Sequence, residues 1–155
     1  MKPETERRLK AVFADRQKQK QSAAAQADQS AAQLAQNLAD FNDKKQTIIR
    51  PAFEEIVNSF KNSGEPIRIE EQGESNNPRG GASFPSIALD LSVEHRLDSK
   101  IEFRLIFDKH RRSVELYTST RTLGGPGGSV SLDTVTTDWI QDTFAKYFEG
   151  RLLHL

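Results

Sequence analysis

The segment Leu123-Gly124-Gly125-Pro126-Gly127-Gly128-Ser129 is where this chain comes nearest to a phosphate-binding loop, because glycines let backbone amides approach an anion just ahead of a helix. With Arg121 beside it and Arg79 in an earlier loop, it would form a small-ligand or catalytic site if the two loops converged on one pocket. The segment lacks the Lys and Ser/Thr of a Walker A loop, and its glycines do not follow the GxGxxG spacing. It therefore reads first as a connection over 120–129 into the last helix, open to a partner, with Gly124, Gly125, Gly127, Gly128, Arg79 and Arg121 as the contacts to test.

Other chemistry-bearing residues are scattered. His95 and His110 fall in expected hairpin turns and His154 near the C-terminus, so no two have a local metal-ligand spacing such as HxxxH. Glu54, Glu55, Glu70, Glu71 and Glu74 are numerous acids, but adjacent carboxylates on a helix or strand ordinarily face solvent. No cysteine is present, which removes disulfides, thiolate catalysis and cysteine zinc sites together. No cofactor and no metal are expected, and the balance of signals leans away from an enzyme.

Lys109, His110, Arg111 and Arg112 form the densest basic cluster of the C-terminal part and read as a solubilising turn, without the interleaved aromatics of a nucleic-acid surface. A second basic group, Arg7, Arg8, Lys10, Arg16, Lys18 and Lys20, lies along one expected helix, diluted by Glu4, Glu6 and Asp15 beside a small apolar patch of Leu9, Val12 and Phe13. Weak binding to nucleic acid or an anionic surface is the reading this group supports. The 22 basic and 22 acidic residues cancel, so nucleic acid is not the expected partner. Regional excesses of +4 over 1–50, −5 over 51–99 and +1 over 100–155 favour attraction between the helix and the rest instead.

Two different elements must carry these groups. Residues 4–46 contain no Gly or Pro and are built mainly from good helix formers, which predicts a helix of 43 residues, about 65 Å long. Alternating steps of three and four place Ala24, Ala27, Ala31, Leu34, Leu38 and Phe41 on one heptad seam, with polar residues at the seam positions on both sides. Three small Ala positions let two helices approach closely, so the seam reads as a self-association or partner-binding line.

From residue 47 the pattern changes, and eight of the nine Phe residues lie beyond residue 40. Ile49, Phe53, Ile56, Val57 and Phe60 keep helical spacing up to Gly64 and Pro66, with a break expected near 46–50 ahead of Pro51. The period then switches to two through Ile67 and Ile69, Ile87 to Val93, Ile101 to Phe107, and Val114 to Thr118. Asp90, Ser92, Glu94, Glu102 and Arg104 should face the opposite side. The residues 74–86 have the composition of a solvated loop. Val135, Trp139, Ile140, Phe144, Tyr147 and Phe148 complete a last helix, with Asp133 as N-cap and Gly150 as C-cap.

The expected fold is α+β: a long coiled-coil-like helix, then a four-stranded antiparallel meander with helices on one face, in the order α-α-β-β-β-β-α. The expected division is a stalk over 1–46 and a head over 47–155. No apolar run reaches a membrane span, and no h-region follows the N-terminal charges, so neither a membrane segment nor a secretory leader is expected, and a cytoplasmic location is. The functional expectation is a non-enzymatic interaction or oligomerisation protein, with a homo-oligomer or a helical protein as partner. The alternatives are a ligand-binding or catalytic head using 124–128 and the basic anionic-surface reading.

Overall fold

The computed structural model describes residues 1–62, 67–77, 81–92, 100–119 and 125–152. It separates into two compact units, Met1–Gln36 and Asn37–Leu155. That boundary lies ten residues before the shift in composition at 46/47.

The absence of Gly and Pro sets the first element, α1, which spans Pro3–Lys44. The break expected near 46–50 is a π-helical turn, Lys45–Ile49, after which α2 continues over Arg50–Ser59 with Pro51 in its first turn. Pro51 has no N–H and crowds the preceding carbonyls, and a widened turn ahead of it relieves both demands without ending the helix. The Arg50 N–H accordingly bonds back to the Lys45 carbonyl, five residues earlier. Phe41 and Ile49 are eight residues apart, which would offset them by about 80° on an unbroken α-helix. The extra residue in the wide turn returns Ile49 to the face of Phe41, and both are fully buried.

The sheet has five strands, one more than the periodicity indicated. Strands β1 (Ile67–Gln72), β4 (Ser86–Ser92), β5 (Lys100–Asp108), β6 (Ser113–Ser119) and β7 (Gly125–Ser131) lie in the order β1-β4-β5-β6-β7, all antiparallel. The added strand, β7, is part of the segment expected to be a loop. Its glycines disguise it: β6 and β7 slip register between Leu116 and Tyr117, and Gly128 has φ +120°. Glycine adopts that backbone freely, and Pro126 is tolerated because β7 is an edge. The presumed loop 74–86 also holds structure, a short hairpin of β2 (Ser75–Asn77) and β3 (Gly81–Ser83). Val93, Glu94, His95, Gly64 and Pro66 lie outside the described residues.

One sheet face carries Ile67, Ile87, Leu89, Leu91, Ile101, Phe103, Leu105, Phe107 and Val114, all buried as the two-residue period requires. Helices cover it: Phe53 of α2 meets Phe103 edge-on at 6.2 Å, and Phe144 of α3 (Thr137–Leu152) meets the same ring at 5.4 Å. The cap of α3 is Thr136, whose Oγ1 accepts the Trp139 N–H at 3.2 Å. Asp133 sits earlier, in a 3-10 turn over Leu132–Thr134 capped by Ser131, and α3 runs through Gly150 to Leu152.

The opposite face is polar, and only its centre, Ser86, Ala88, Asp90 and Arg104, is buried, while Arg68, Gln72 and Glu115 on the same face are exposed. Ala88 is fully buried between Glu70 and Arg104 in the strand register, and its small side chain leaves Arg104 room to reach across. Arg104 Nη1 donates to Ser86 Oγ at 2.7 Å, Nε pairs with Glu102, and Nη2 lies 3.6 Å from Glu70. Arg104 is 9% exposed, so a planar donor fork sits among acceptors under little water.

The β5–β6 hairpin ends in an Asp-initiated turn, with Asp108 Oδ1 accepting the His110 N–H at 2.9 Å and the Arg111 N–H at 3.4 Å. The turn closes on Arg112 at φ +50°, a left-handed backbone costing a non-glycine residue about 1–2 kcal/mol. Its side chain offsets that strain, bonding Asp133 at 2.9 Å and Asp40 at 3.4 Å. The hydrogen bond to Asp133 leads in holding the guanidinium pKa above its ordinary value; burial opposes it, and the Asp133 and Asp40 charges and the Asp40 hydrogen bond add to the rise. Arg112→Gly and Arg112→Ala lose the same ion pairs, but only the glycine sheds the backbone strain. The glycine variant should be more stable by about 1 kcal/mol in urea unfolding, and equal stabilities would mean that residue 112 is not held left-handed.

Candidate functional site

The two units offer different surfaces. In the first, every side chain of residues 1–36 is exposed except Leu34, which is partly covered. Ala24, Ala27 and Ala31 therefore present an open line of small residues. Nearer the start, Leu9 is 42% exposed, Val12 61% and Phe13 65%, and their spacing puts the three on one side of the helix. Arg8 and Lys10 lie 3.9 and 3.4 Å from Glu4 and Glu6, exposed i,i+4 pairs of the kind worth about 0.3–0.5 kcal/mol.

The heptad seam divides at the unit boundary. Phe41 is fully buried and stacks on Phe107 at 4.5 Å with the rings 4° from parallel, while Leu38 packs against the same core. Both were expected on an outward seam, but the second unit uses them internally, because Phe107 of β5 offers a flat apolar partner. Polar residues on the same turns fasten the helix there. Asn37 Nδ2 donates to the Lys109 carbonyl at 2.9 Å, Lys44 Nζ to the Leu132 carbonyl at 2.6 Å, and Asp40 accepts from Arg112. The sequence carried a signal for this group, since Asn37, Asp40, Phe41 and Lys44 recur at three- and four-residue steps.

The basic hairpin is largely committed within the second unit. Lys109 pairs with Glu74 and Arg112 with Asp40 and Asp133, leaving His110 and Arg111 exposed at the tip. Glu71 is likewise bound, 2.5 Å from Arg50 and 3.9 Å from Lys45.

Of the proposed loop contacts, Gly125, Gly127 and Gly128 lie in edge strand β7, whereas Arg79, Arg121 and Gly124 lie outside the described residues, as does His154. The strand register bears on whether those loops converge. Gln72 and Ser86, which flank the β2–β3 hairpin, pair at one end of the sheet, beside Ile106. Ser119 and Gly125, which flank 120–124, lie toward the other end, beside Glu102 and Thr118. A convergent ligand site built from both thus gains no support from the topology. Among the described residues no group of three or more His, Asp or Glu is placed to hold a metal ion, and no helix is long and apolar enough to cross a membrane.

Among the described residues, an apolar-floored groove of about 440 Å³ lies between α2 and α3. Ile56, Phe60, Phe144 and Phe148 form its floor, with the Phe60 and Phe148 rings 5.0 Å apart, edge to face. Ser59 and the exposed Ala145 lie at its mouth, and Glu55 and Glu149 line its rim. Gln141 bridges toward Glu55 from α3 at 2.5 Å. Periodicity revealed the aromatic floor as core but gave no hint of an opening there, because the gap depends on how α2 and α3 diverge.

Comparison with protein-family models, with curated proteins and with solved structures finds no match to this chain.

Proposed function

We propose that this chain is a non-enzymatic interaction protein that self-associates through the helix of residues 3–36. Ala24, Ala27, Ala31 and Leu34 form the contact line against the helix of a second copy. The observation that carries this reading is the exposure of all side chains from 1 to 36 apart from Leu34, on a helix with regular heptad spacing. Helices gain most of their stability in proteins from packing an apolar face, and this segment packs none within its own unit. Alanines at three successive seam positions allow close backbone approach, and Leu34 supplies the largest contact, worth about 1.5–3 kcal/mol if fully buried. Leu38 and Phe41 continue the heptad by spacing only, so the proposed line ends at Leu34.

Ala27→Glu combined with Leu34→Asp puts two carboxylates on the line without touching the second unit. Light scattering should then give a monomer where the native chain gives an oligomer, with the urea midpoint of the second unit unchanged. An unaltered mass in the double variant would refute the seam.

A further inference from the structure

The exposed apolar tip of α1 and the groove between α2 and α3 are complementary in shape class and in charge. Leu9, Val12 and Phe13 stand at i, i+3 and i+4, the spacing by which an amphipathic helix seats anchors in an apolar groove. Residues 1–20 carry seven basic and three acidic side chains, while the groove is rimmed by Glu55 and Glu149. The same polarity holds at larger scale: Met1–Gln36 has seven basic and four acidic residues, net +3, against 15 and 18, net −3, for Asn37–Leu155. A groove of about 440 Å³ falls in the range that accepts a few large side chains.

We infer that the α2–α3 groove receives the N-terminal turns of α1 from a second copy of this chain. Leu9, Val12 and Phe13 seat on the floor formed by Ile56, Phe60, Phe144 and Phe148, and the basic side chains flanking them face Glu55 and Glu149. The exposed pairs of Arg8 with Glu4 and Lys10 with Glu6 are weak enough to be exchanged for the rim carboxylates. Three anchors suffice for a groove, whereas a lipid surface needs a longer apolar face than the interleaved Glu4, Glu6 and Asp15 leave here. The inference rests on the self-association proposed above and adds a second surface to it, one that makes the contact head to tail.

Sedimentation equilibrium of the full chain tests it with Phe13→Ser, Ala145→Arg and the charge-exchange pair Arg8→Glu with Glu149→Arg. Ala145 is exposed, so its replacement crowds the groove mouth without opening the core, and circular dichroism checks that each variant is folded. Phe13→Ser and Ala145→Arg should each weaken association by about tenfold or more. Arg8→Glu or Glu149→Arg alone should weaken it less, and the two together should restore part of the loss. If both tip and groove variants associate like the native chain while Ala27→Glu with Leu34→Asp abolishes association, the groove inference falls and the seam stands. Phe13-dependent binding to phosphatidylserine vesicles, with no change in mass on altering Ala145, would likewise overturn it in favour of an anionic membrane surface. A native chain that stays monomeric at all concentrations defeats both.

Discussion

Replacing Phe41 by Ala should destabilise the second unit by about 3–5 kcal/mol, a large share of the roughly 5–15 kcal/mol that holds a typical domain together. Phe41 has no exposed surface, and its ring lies flat on Phe107 at 4.5 Å, so truncation leaves a cavity between α1 and the sheet that neither neighbour can close. Ile49, on the same face at the end of the π-turn, loses packing alongside it. Phe13→Ala removes the same atoms from a site 65% exposed and should change stability by no more than about 0.5 kcal/mol. Urea unfolding of both variants checks the contrast through the midpoints at unchanged slope. A loss below about 1 kcal/mol for Phe41→Ala would return Phe41 to the outward seam and move the unit boundary past it.

Arg104→Ala is expected to have the next largest effect, about 3–5 kcal/mol, because it leaves Glu102 facing a dry sheet surface without its countercharge. The side chains of Arg104 and Glu102 are only 11% and 13% exposed, and Ser86 loses its donor at the same time. Glu70 is 41% exposed and can turn to water, so it adds little to the loss. Arg104→Met together with Glu102→Leu removes the charge problem and keeps the volume, and should recover most of the stability. A double variant as unstable as Arg104→Ala would show that packing, not an uncompensated carboxylate, sets the loss.

Much of this architecture is legible in the residues. The alternation in Ile87 to Leu91 and Ile101 to Phe107 fixes two central strands, since a sheet with one apolar face permits only that pattern. The same alternation assigns Asp90, Glu102 and Arg104 to the opposite side. It does not reveal that the centre of this side is buried, which follows from Arg104 lying across Ala88. Strand β7 was hidden because glycine and proline usually punctuate elements, and here they build an irregular edge paired to β6. The π-turn was hidden for a related reason: Pro51 announces a disturbance but not its form.

The seam shows where sequence reasoning stops. Spacing of three and four places Leu34, Leu38 and Phe41 on one line, and coiled-coil contact and domain core both use such a line. What separates them is Phe107, about 65 residues later in the chain, which gives Phe41 a partner within its own unit. Asn37, Asp40 and Lys44 mark the same transition by their spacing, but their partners, two backbone carbonyls and the Arg112 guanidinium, lie far along the chain.

Light scattering of the native full-length chain over a hundredfold range of concentration tests self-association by the helix of residues 3–36 most directly. A mass rising from 17.4 kDa toward a multiple of it, with helical circular dichroism increasing in step, is the expected result. A mass fixed at 17.4 kDa, with helicity independent of concentration, would show that the exposed helix needs no second copy and would contradict the proposed function.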